Sequence, residues 1–349
     1  MTDKQRELLS LIKYQATIES LSTELKLSVR QVYQRILKLQ NSGYEIHRKD
    51  FATGDVQFDL SSSPTEENSV KAIYTSPSAS ELRALVISDT HLGNTLQSLG
   101  AISEAYNYCI QNNIHVIFNC GDLFNGLCNS KHGKSVNDNY EEQLAYAIKD
   151  YPFDSKIINY VVLGNHDADY QKGYIDTKKA LMSKRYDIFP VGYNEATIKV
   201  KNDGIKLVHP NGYEPPKYNK KIIFRGHSHI SKVINNFSVD SAYVYVPTCS
   251  NVFYDQDYEF PEVLDVILSF NGNGIIESLN ISTLAYVSKY VKVGEYSHRF
   301  RTFLGHGEIK YEEEPEVPVV KPAEKTLERK PAGHPLSQIE KFKARYDLK

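Results

Sequence analysis

The chain has 349 residues, of which 41% are hydrophobic, and a formal net charge of −2. The length exceeds one ordinary domain and the apolar content is enough for a core, which excludes wholesale disorder. The near-neutral charge excludes a globally basic coat, so any contact with nucleic acid must come from a local patch. The four cysteines lack Cys-x-x-Cys spacing, and no apolar signal or membrane-length run is present. We therefore expect a cytoplasmic protein that makes no contact with a membrane and has no disulfide scaffold.

The first 60 residues predict three short helices followed by a hairpin. Residues 4–13 and Thr17–Leu25 have helical patterns, and Ser28 caps a third helix that runs to about Asn41. The segments YEIHR and VQFDL then read as two strands. The stretch SLSTELKLSVRQVYQRILKLQNSGYEI resembles a winged helix-turn-helix. We therefore predict a small winged helix-turn-helix domain over residues 1–60.

The third predicted helix is basic, with four basic residues and no acidic one between Lys26 and Gln40. A recognition helix of this kind would contact DNA phosphates and bases. The side chains expected to make these contacts are Arg30, Gln31, Tyr33, Gln34, Arg35 and Lys38. Because winged helices also serve as protein-docking or dimerisation modules, binding to a protein partner is the alternative.

Two segments lack the pattern of a folded domain. Residues 61–80 are rich in Ser, Pro and Thr and read as a linker. Residues 296–349 are expected to form a largely disordered charged tail, because the sequence beyond about residue 310 is charged and studded with proline. A short helix near its end could dock on this chain or on a protein partner, as indicated by apolar residues at helical spacing: Leu336, Ile339, Phe342 and Tyr346.

Residues 81–295 combine strands and helices. The runs LRALVIS, IHVIFNC and KIINYVVL read as buried strands, and helical patterns follow them at 97–111, 139–150 and 174–185. After about residue 195, Asn-Asp-Gly and Asn-Gly turns support a series of hairpins. The pattern predicts an α/β fold that becomes rich in β-strands in its second half.

Polar clusters follow five of the predicted strands. In chain order they are Asp89-Thr90-His91, Gly121-Asp122, Gly164-Asn165-His166-Asp167, His209 and Gly226-His227-Ser228-His229. Ligands gather beyond the carboxyl ends of strands in α/β folds, so we expect these clusters to converge. Carboxylate and imidazole ligands together suit borderline divalent ions. Two such ions about 3.5–4 Å apart can polarise a phosphoryl group and create a hydroxide nucleophile for in-line attack on phosphorus.

In this order, the clusters resemble the motifs of the calcineurin-like metallophosphoesterase superfamily over about 215 residues. The resemblance implies a four-layered α/β sandwich with two mixed sheets, and two divalent metal ions. Manganese is the expected metal, with iron, zinc, nickel and magnesium as alternatives. The implied ligands are Asp89, His91 and His229 for the first ion, Asn165, His209 and His227 for the second, and Asp122 as the bridge between them.

The resemblance also implies the catalytic groups. His166 would be the general acid or transition-state stabiliser, and Asp167 would hold it in place. The sequence departs from the family pattern at Asn125, where many relatives carry Asp, and at Pro210, where a small residue is more usual. In the segment after the second motif, we expect Lys131, His132 and Lys134 to rim the site and bind substrate phosphate, with a plain solvated loop as the alternative.

The metal ligands do not select a substrate. A tethered winged helix would raise the local concentration of DNA, which favours a DNA-directed phosphodiesterase or nuclease. The first alternative is a small-molecule phosphatase or nucleotide phosphodiesterase whose winged helix binds a partner. The second is a DNA-binding regulator that uses the esterase fold as a sensor. The residues do not indicate the oligomeric state.

Overall fold

The computed structural model describes residues 3–13, 15–60, 70–127, 133–137, 139–210, 220–236, 240–252 and 260–301. The chain divides into two units, Met1–Phe300 and Arg301–Lys349, and the account below concerns the first unit. The predicted C-terminal helix and nearly all of the predicted tail lie outside the described residues.

The N-terminal part contains three helices and a hairpin. Its elements are α1 (Asp3–Ile12), β1 (Ala16–Thr17), α2 (Ile18–Leu25), α3 (Val29–Asn41), β2 (His47–Phe51) and β3 (Val56–Asp59). Helix α3 begins at a capping box, in which Ser28 Oγ accepts the Gln31 N–H at 3.3 Å and the Gln31 side chain accepts the Ser28 N–H at 3.0 Å. Strands β2 and β3 pair antiparallel, and β1 pairs with β3.

A strand lies within the segment predicted to be a linker. Val70–Tyr74 forms β4, which pairs in parallel with β2 on one side. On its other side β4 pairs in parallel with β9 (Glu195–Val200) of the later part of the chain. The linker prediction is wrong for these five residues. The N-terminal hairpin and the second half of the chain are therefore joined through one continuous sheet.

The rest of the unit alternates strands and helices and then becomes all β. The first part comprises β5 (Glu81–Ile87), α4 (Leu99–Gln111), β6 (Val116–Asn119), α5 (Tyr140–Asp150), β7 (Ile158–Leu163), α6 (Asn165–Ala168), a 3₁₀ helix (Asp169–Gly173), α7 (Thr177–Lys184) and β8 (Ile188–Tyr193). After β9 come β10 (Asp203–Val208), β11 (Ile222–Arg225), β12 (Lys232–Asn236), β13 (Ser241–Tyr245), β14 (Glu262–Phe270), β15 (Ile276–Tyr286) and β16 (Tyr290–Arg299). Strand β16 thus extends past residue 295, the predicted end of the catalytic domain.

The strands form two sheets. One has seven strands in the order β16-β15-β14-β5-β6-β7-β8, and the other has nine in the order β1-β3-β2-β4-β9-β10-β11-β13-β12. Strands β5 to β8 pair in parallel, whereas β14 is antiparallel to β5. The nine-stranded sheet likewise contains parallel and antiparallel pairs. The predicted α/β fold with two mixed sheets is confirmed.

The core follows the two-residue period of the strands. Along β5, Ala84 and Val86 belong to an apolar cluster that includes Leu207 of the nine-stranded sheet, so the two sheets pack face to face. Leu85 belongs to a second cluster with Ala105 of α4, on the opposite face of the seven-stranded sheet. The fourth layer of the predicted sandwich stays a prediction. None of the helices described is long and apolar enough to cross a membrane.

Candidate active site

The polar clusters predicted from the sequence meet at one edge of the two sheets. Asp89, Asp122 and Asn165 follow β5, β6 and β7, while His209 follows β10 and His227 follows β11. Ligand atoms of three groups lie within 4.8 Å of one another: Asp89 with His91 and His229, His91 with Asp122 and His166, and Asp122 with His209 and His227. The structure therefore brings together the carboxylate and imidazole groups of both predicted ion sites.

The first group is held together by short distances. His229 Nε2 lies 3.2 Å from Asp89 Oδ1, and His91 Nε2 lies 3.8 Å from the same oxygen. The Nε2 atoms of His91 and His229 are 3.3 Å apart. Three potential ligand atoms thus face a common point.

The second group is built around Asp122. His209 Nε2 lies 3.1 Å from Asp122 Oδ2 and 3.2 Å from Asn165 Oδ1. The same Asp122 oxygen is 4.0 Å from His91 Nε2 in the first group. Asp122 is therefore placed between the two groups, as a bridging carboxylate must be.

Backbone carbonyls orient two of the imidazoles. His209 Nδ1 donates to the Cys120 carbonyl at 2.7 Å, and His229 Nδ1 donates to the Val252 carbonyl at 2.5 Å. A carbonyl oxygen can only accept, so each Nδ1 carries a proton, and each Nε2, which faces a carboxylate, is the nitrogen that can give up its proton to bind a metal ion. This arrangement is typical of metal-binding histidines.

The donor set fits a divalent cation. Each carboxylate has one oxygen fixed by a backbone donor, since Asp89 Oδ2 accepts the His227 N–H at 3.0 Å and Asp122 Oδ1 accepts the His166 N–H at 2.9 Å. The other oxygen of each is buried and faces an imidazole: Asp89 Oδ1 lies 3.2 Å from His229 Nε2, and Asp122 Oδ2 lies 3.1 Å from His209 Nε2. Buried anionic oxygens of this kind require a cation beside them.

The electrostatics of the site point the same way. Burial would raise the pKa of Asp89, but the facing imidazoles of His229 and His209 outweigh it and bring the pKa to about 2. Burial would lower the pKa of His209, but Asp122 raises it to about 9. The carboxylates are therefore ionised at neutral pH, and protons and metal ions compete for the same imidazole nitrogens.

Several ligand residues have left-handed backbones. The φ angles of Asp89, His91, Asp122, His227 and His229 are 53°, 44°, 50°, 74° and 55°. Non-glycine residues seldom adopt this region, and the strain persists only where surrounding structure enforces it. These strained backbones are concentrated at the predicted ligands. This indicates that the fold places the ligand side chains at the cost of backbone strain.

Gly164 makes room for the bridging carboxylate. A Cβ atom at this position would lie 2.3 Å from Asp122 Oδ1 and 2.6 Å from His209 Cδ2. Its φ angle is ordinary, so the requirement is for space rather than for conformational freedom. The glycine is needed because β7 ends directly against two groups of the site.

Gly164→Ala is expected to lower the affinity for Mn²⁺ by about 10- to 100-fold, the range found when the support of a metal ligand is disturbed. The reason is that the added methyl group displaces Asp122 and His209. Calorimetric titration with Mn²⁺ measures the effect, and Gly272→Ala is the matched control because a Cβ there meets nothing within 4 Å. Equal affinity of the two variants would contradict the packing argument.

The predicted support of His166 by Asp167 is wrong. The Asp167 carboxylate accepts the backbone N–H groups of Phe124 and Gly164, both at 2.8 Å, and thereby ties two motif loops together. His166 Nδ1 instead donates to the Asn125 carbonyl at 2.7 Å. Sequence reasoning missed this role of Asn125, and no signal could have revealed it, because the backbone oxygen rather than the side chain makes the contact.

The residues of α3 that were predicted to contact DNA differ in exposure. Tyr33 is 4% exposed and packs against the Tyr186 ring at a centroid distance of 5.9 Å. The Gln34 side chain donates to the Ser183 carbonyl at the end of α7. The prediction that Tyr33 contacts DNA is wrong, because its side chain is buried within the chain, whereas the predicted contact of the half-buried Gln34 stays a prediction. Arg35 is half-buried, whereas the remaining predicted contacts are exposed: Arg30, Gln31 and Lys38.

The turn between β2 and β3 also docks on the catalytic part. Lys156 Nζ lies 2.6 Å from Asp55 Oδ1, and a Cβ at Gly54 would lie 1.9 Å from the Lys156 carbonyl oxygen. The tip of the hairpin and α3 therefore both contact residues between α5 and β8. Of the predicted rim residues, Lys131 and His132 lie outside the described residues, and Lys134 is exposed.

Residues 82–231 match the sequence model of the family described as calcineurin-like phosphoesterase, and the match contains all seven predicted ligands. This segment is a calcineurin-like phosphoesterase domain. The protein is accordingly a metal-dependent phosphoesterase. The matched segment contains the carboxylate and imidazole groups that lie close together in the structure. Among curated proteins, none matches the sequence significantly.

Solved structures are similar at low identity. The phosphoesterase Yfce of E. coli has 15% identity and a TM-score of 0.40, over 61% of this chain and 98% of that chain. Vacuolar protein sorting 29 of Cryptosporidium parvum has 14% identity and a TM-score of 0.36, over 62% and 97%. An archaeal phosphodiesterase has 15% identity and a TM-score of 0.35, over 54% and 93%. These values are too low to carry any conclusion about substrate.

Proposed function

We propose that the domain is a two-metal phosphodiesterase that hydrolyses DNA, with manganese as the working metal. The observation that carries the two-metal assignment is Asp122, whose carboxylate lies between the Asp89 group and the His209 group. A carboxylate shared by two ligand sets suits a pair of ions about 3.5–4 Å apart. When bound, the pair neutralises phosphate oxygens and lowers the pKa of a water molecule so that it can attack phosphorus.

The protein groups supply orientation and a proton. Asp89 and Asp122 hold one oxygen each toward the imidazoles, because backbone N–H groups fix the other oxygen. A ring nitrogen of His166 lies within 4.8 Å of an Asp122 carboxylate oxygen. His166 Nδ1 donates to the Asn125 carbonyl, which leaves Nε2 for the substrate. Nε2 of His166 is therefore the atom that we assign to hydrogen-bonding the scissile phosphate or protonating the leaving alkoxide.

His166→Ala is expected to lower kcat for the cleavage of DNA, whose leaving group is an alkoxide, by about 10²- to 10⁴-fold, the usual contribution of a positioned proton donor. Binding of Mn²⁺ is expected to persist, because His166 is not among the seven assigned ligands. Steady-state kinetics and metal analysis of the same preparation test this pair of results. Full activity in a metal-loaded variant would remove His166 from the mechanism.

Two features support DNA as the substrate. The order of helices, short strand and hairpin in residues 3–59 is that expected of a winged helix-turn-helix. Arg30 and Lys38 of α3 remain exposed for phosphate contacts. The joined sheet would hold this basic helix at a fixed distance from the metals, which raises the local concentration of a bound strand.

Parallel assays with Mn²⁺ test the substrate. The substrates are bis-p-nitrophenyl phosphate, p-nitrophenyl phosphate, single-stranded DNA and double-stranded DNA. The proposal expects cleavage of the diester and of at least one DNA form, with little turnover of the monoester. Hydrolysis of the monoester alone would overturn the diesterase assignment, and hydrolysis of the small diester without any DNA cleavage would overturn the nuclease assignment.

One observation favours a second candidate, a small-molecule phosphoesterase whose N-terminal module has a docking role. Tyr33 and Gln34 lie on the helix expected to read DNA, yet both contact the catalytic part of the same chain. A helix used in this way presents fewer side chains to a nucleic acid. The same parallel assays separate this candidate from the first.

A further inference from the structure

The segment from Asn165 to Lys184 connects the metal site to the N-terminal module. It begins at the predicted ligand Asn165, continues through the 3₁₀ helix, and ends in α7. At the far end of α7, the Ser183 carbonyl accepts the Gln34 side chain of α3. At 1.5 Å per residue, the eight residues of α7 span about 12 Å. A nucleic-acid strand that lay along this segment would pass from α3 to the catalytic groups.

Tyr174 is a fully exposed aromatic residue on this segment. Its relative exposure is 100%, and its φ angle of 57° is unusual for a bulky side chain. The conformation is held, since the Tyr174 N–H donates to the Gln171 carbonyl at 3.0 Å. Further along, Thr177 Oγ1 donates to the Asp167 carbonyl at 2.8 Å, which ties the segment back to the His166 loop. A hydrogen-bonded turn therefore presents the ring to solvent, on a segment that is tied to the loop carrying His166.

Exposed basic residues follow the tyrosine. Lys178 and Lys179 begin α7 and Lys184 ends it, and all three are exposed. Asp176 accepts the Lys179 N–H as the cap of α7, and Asp169 pairs with Lys172. Residues 174–184 contain three lysines and one aspartate, a net charge of +2 in a chain whose net charge is −2.

Two exposed basic residues of α3 lie within about one helical turn of its contact with α7. Arg30 and Lys38 lie four residues on either side of Gln34, so they share its face of the helix. Gln34 touches the end of α7, which places both cations on either side of the junction between α3 and α7. An aromatic platform combined with cations spaced along a track is typical of proteins that bind single strands.

We propose that Tyr174, Lys178 and Lys179 bind a single strand of nucleic acid and guide it from α3 to the metal site. Tyr174 stacks on a base, and the two lysines contact backbone phosphates. A single strand fits better than a duplex, because only unpaired bases offer their faces to an exposed ring. The inference rests on the proposed nucleic-acid phosphodiesterase function and names the form of nucleic acid that the site takes.

The test compares three variants of the full chain with wild type on a fluorescent single-stranded oligonucleotide. Tyr174→Ala is expected to weaken binding by about 5- to 150-fold, the equivalent of one lost stack of about 1–3 kcal/mol. Tyr174→Phe is expected to bind like wild type, because a phenyl ring still stacks. Lys178→Ala/Lys179→Ala is expected to reduce the slope of log K against log salt by about 1.4, about 0.7 for each phosphate contact.

A matched lysine pair on the opposite edge of the sheet is the control. Lys289 precedes β16 and Lys292 lies within it, and both are exposed, with Lys292 paired to Glu295, whereas α7 leads into β8 at the other end of the seven-stranded sheet. Six strand spacings of about 4.8 Å place the control roughly 29 Å away. Lys289→Ala/Lys292→Ala is expected to leave oligonucleotide binding, its salt slope and turnover at wild-type values.

The outcomes separate this inference from the proposed function. If Tyr174→Ala and the α7 double variant bind the oligonucleotide as wild type does, the track is wrong, and diester hydrolysis by wild type would still support the proposed function. If wild type binds the strand through these residues but hydrolyses no diester, the track stands and the proposed function fails. A loss in Tyr174→Ala that Tyr174→Phe does not rescue would also overturn the stacking role.

Discussion

Asp122→Asn is expected to abolish two-metal binding and to lower kcat/KM for bis-p-nitrophenyl phosphate by about 10³-fold or more. The substitution keeps the shape of the side chain and can retain the 2.9 Å hydrogen bond from the His166 N–H. What it removes is the negative charge at the point where the two ligand groups meet, 3.1 Å from His209 Nε2 and 4.0 Å from His91 Nε2. An amide oxygen cannot neutralise two divalent ions.

Metal analysis after dialysis and steady-state kinetics measure this effect. Asp265→Asn is the control, because Asp265 is also a buried carboxylate, 7% exposed, but pairs with Arg83 on the sheet. We expect the control to keep its metal content and its turnover. Two equivalents of Mn²⁺ in the Asp122→Asn protein, or activity near wild type, would show that the bridging role is misassigned.

The convergence of the site could be predicted from sequence because it follows from strand ends. The polar clusters at Asp89, Asp122 and Asn165 each follow an apolar strand, and parallel strands bring their carboxyl ends to one edge. The two mixed sheets could also be predicted, through the resemblance to the family. In both cases the deciding information lies in short, contiguous stretches of sequence.

What could not be predicted depends on contacts between distant residues. Gln34 and Ser183 are 149 positions apart, so no local pattern reveals that α3 is partly covered. Strand β4 cannot be predicted locally, because it is a short apolar run between Ser- and Pro-rich flanks and depends on pairing with β2 and β9. Asp167 follows His166 directly in sequence, but its carboxylate points to the Phe124 N–H while His166 bonds the Asn125 carbonyl, and adjacency in sequence does not reveal this.

Asp50→Ala is expected to lower the free energy of unfolding by about 3–5 kcal/mol, the usual cost of removing one partner from a buried ion pair. Asp50 is fully buried and accepts Arg48 Nε at 2.6 Å and Lys71 Nζ at 2.8 Å. Both cations also lie over the Phe189 ring, at 4.9 Å and 4.2 Å from its centroid. Without the carboxylate, the largely buried charges of Arg48 and Lys71 would lie close together with no anion between them. The Phe189 ring alone would not compensate for them.

Urea unfolding at neutral pH measures the loss, with Asp55→Ala as the matched control. Asp55 also pairs with a lysine, Lys156, but their side chains are 38% and 47% exposed, so the control is expected to lose about 1 kcal/mol or less. Burial raises the pKa of Asp50, yet Arg48 and Lys71 outweigh it and lower the pKa. The stabilisation is thus fully present above the unfolded pKa of about 3.9 and is lost as the pH falls through the lower folded value.

The position of this ion cluster explains why its loss would matter beyond stability. Arg48 and Asp50 belong to β2, Lys71 to β4 and Phe189 to β8, so the cluster joins the N-terminal hairpin to both sheets. If the N-terminal module were an independently tethered domain, Asp50→Ala would leave the unfolding of the catalytic domain unchanged. A single cooperative transition that shifts as a whole would instead mean that α3 is fixed relative to the metals, which is the condition for a continuous track between them.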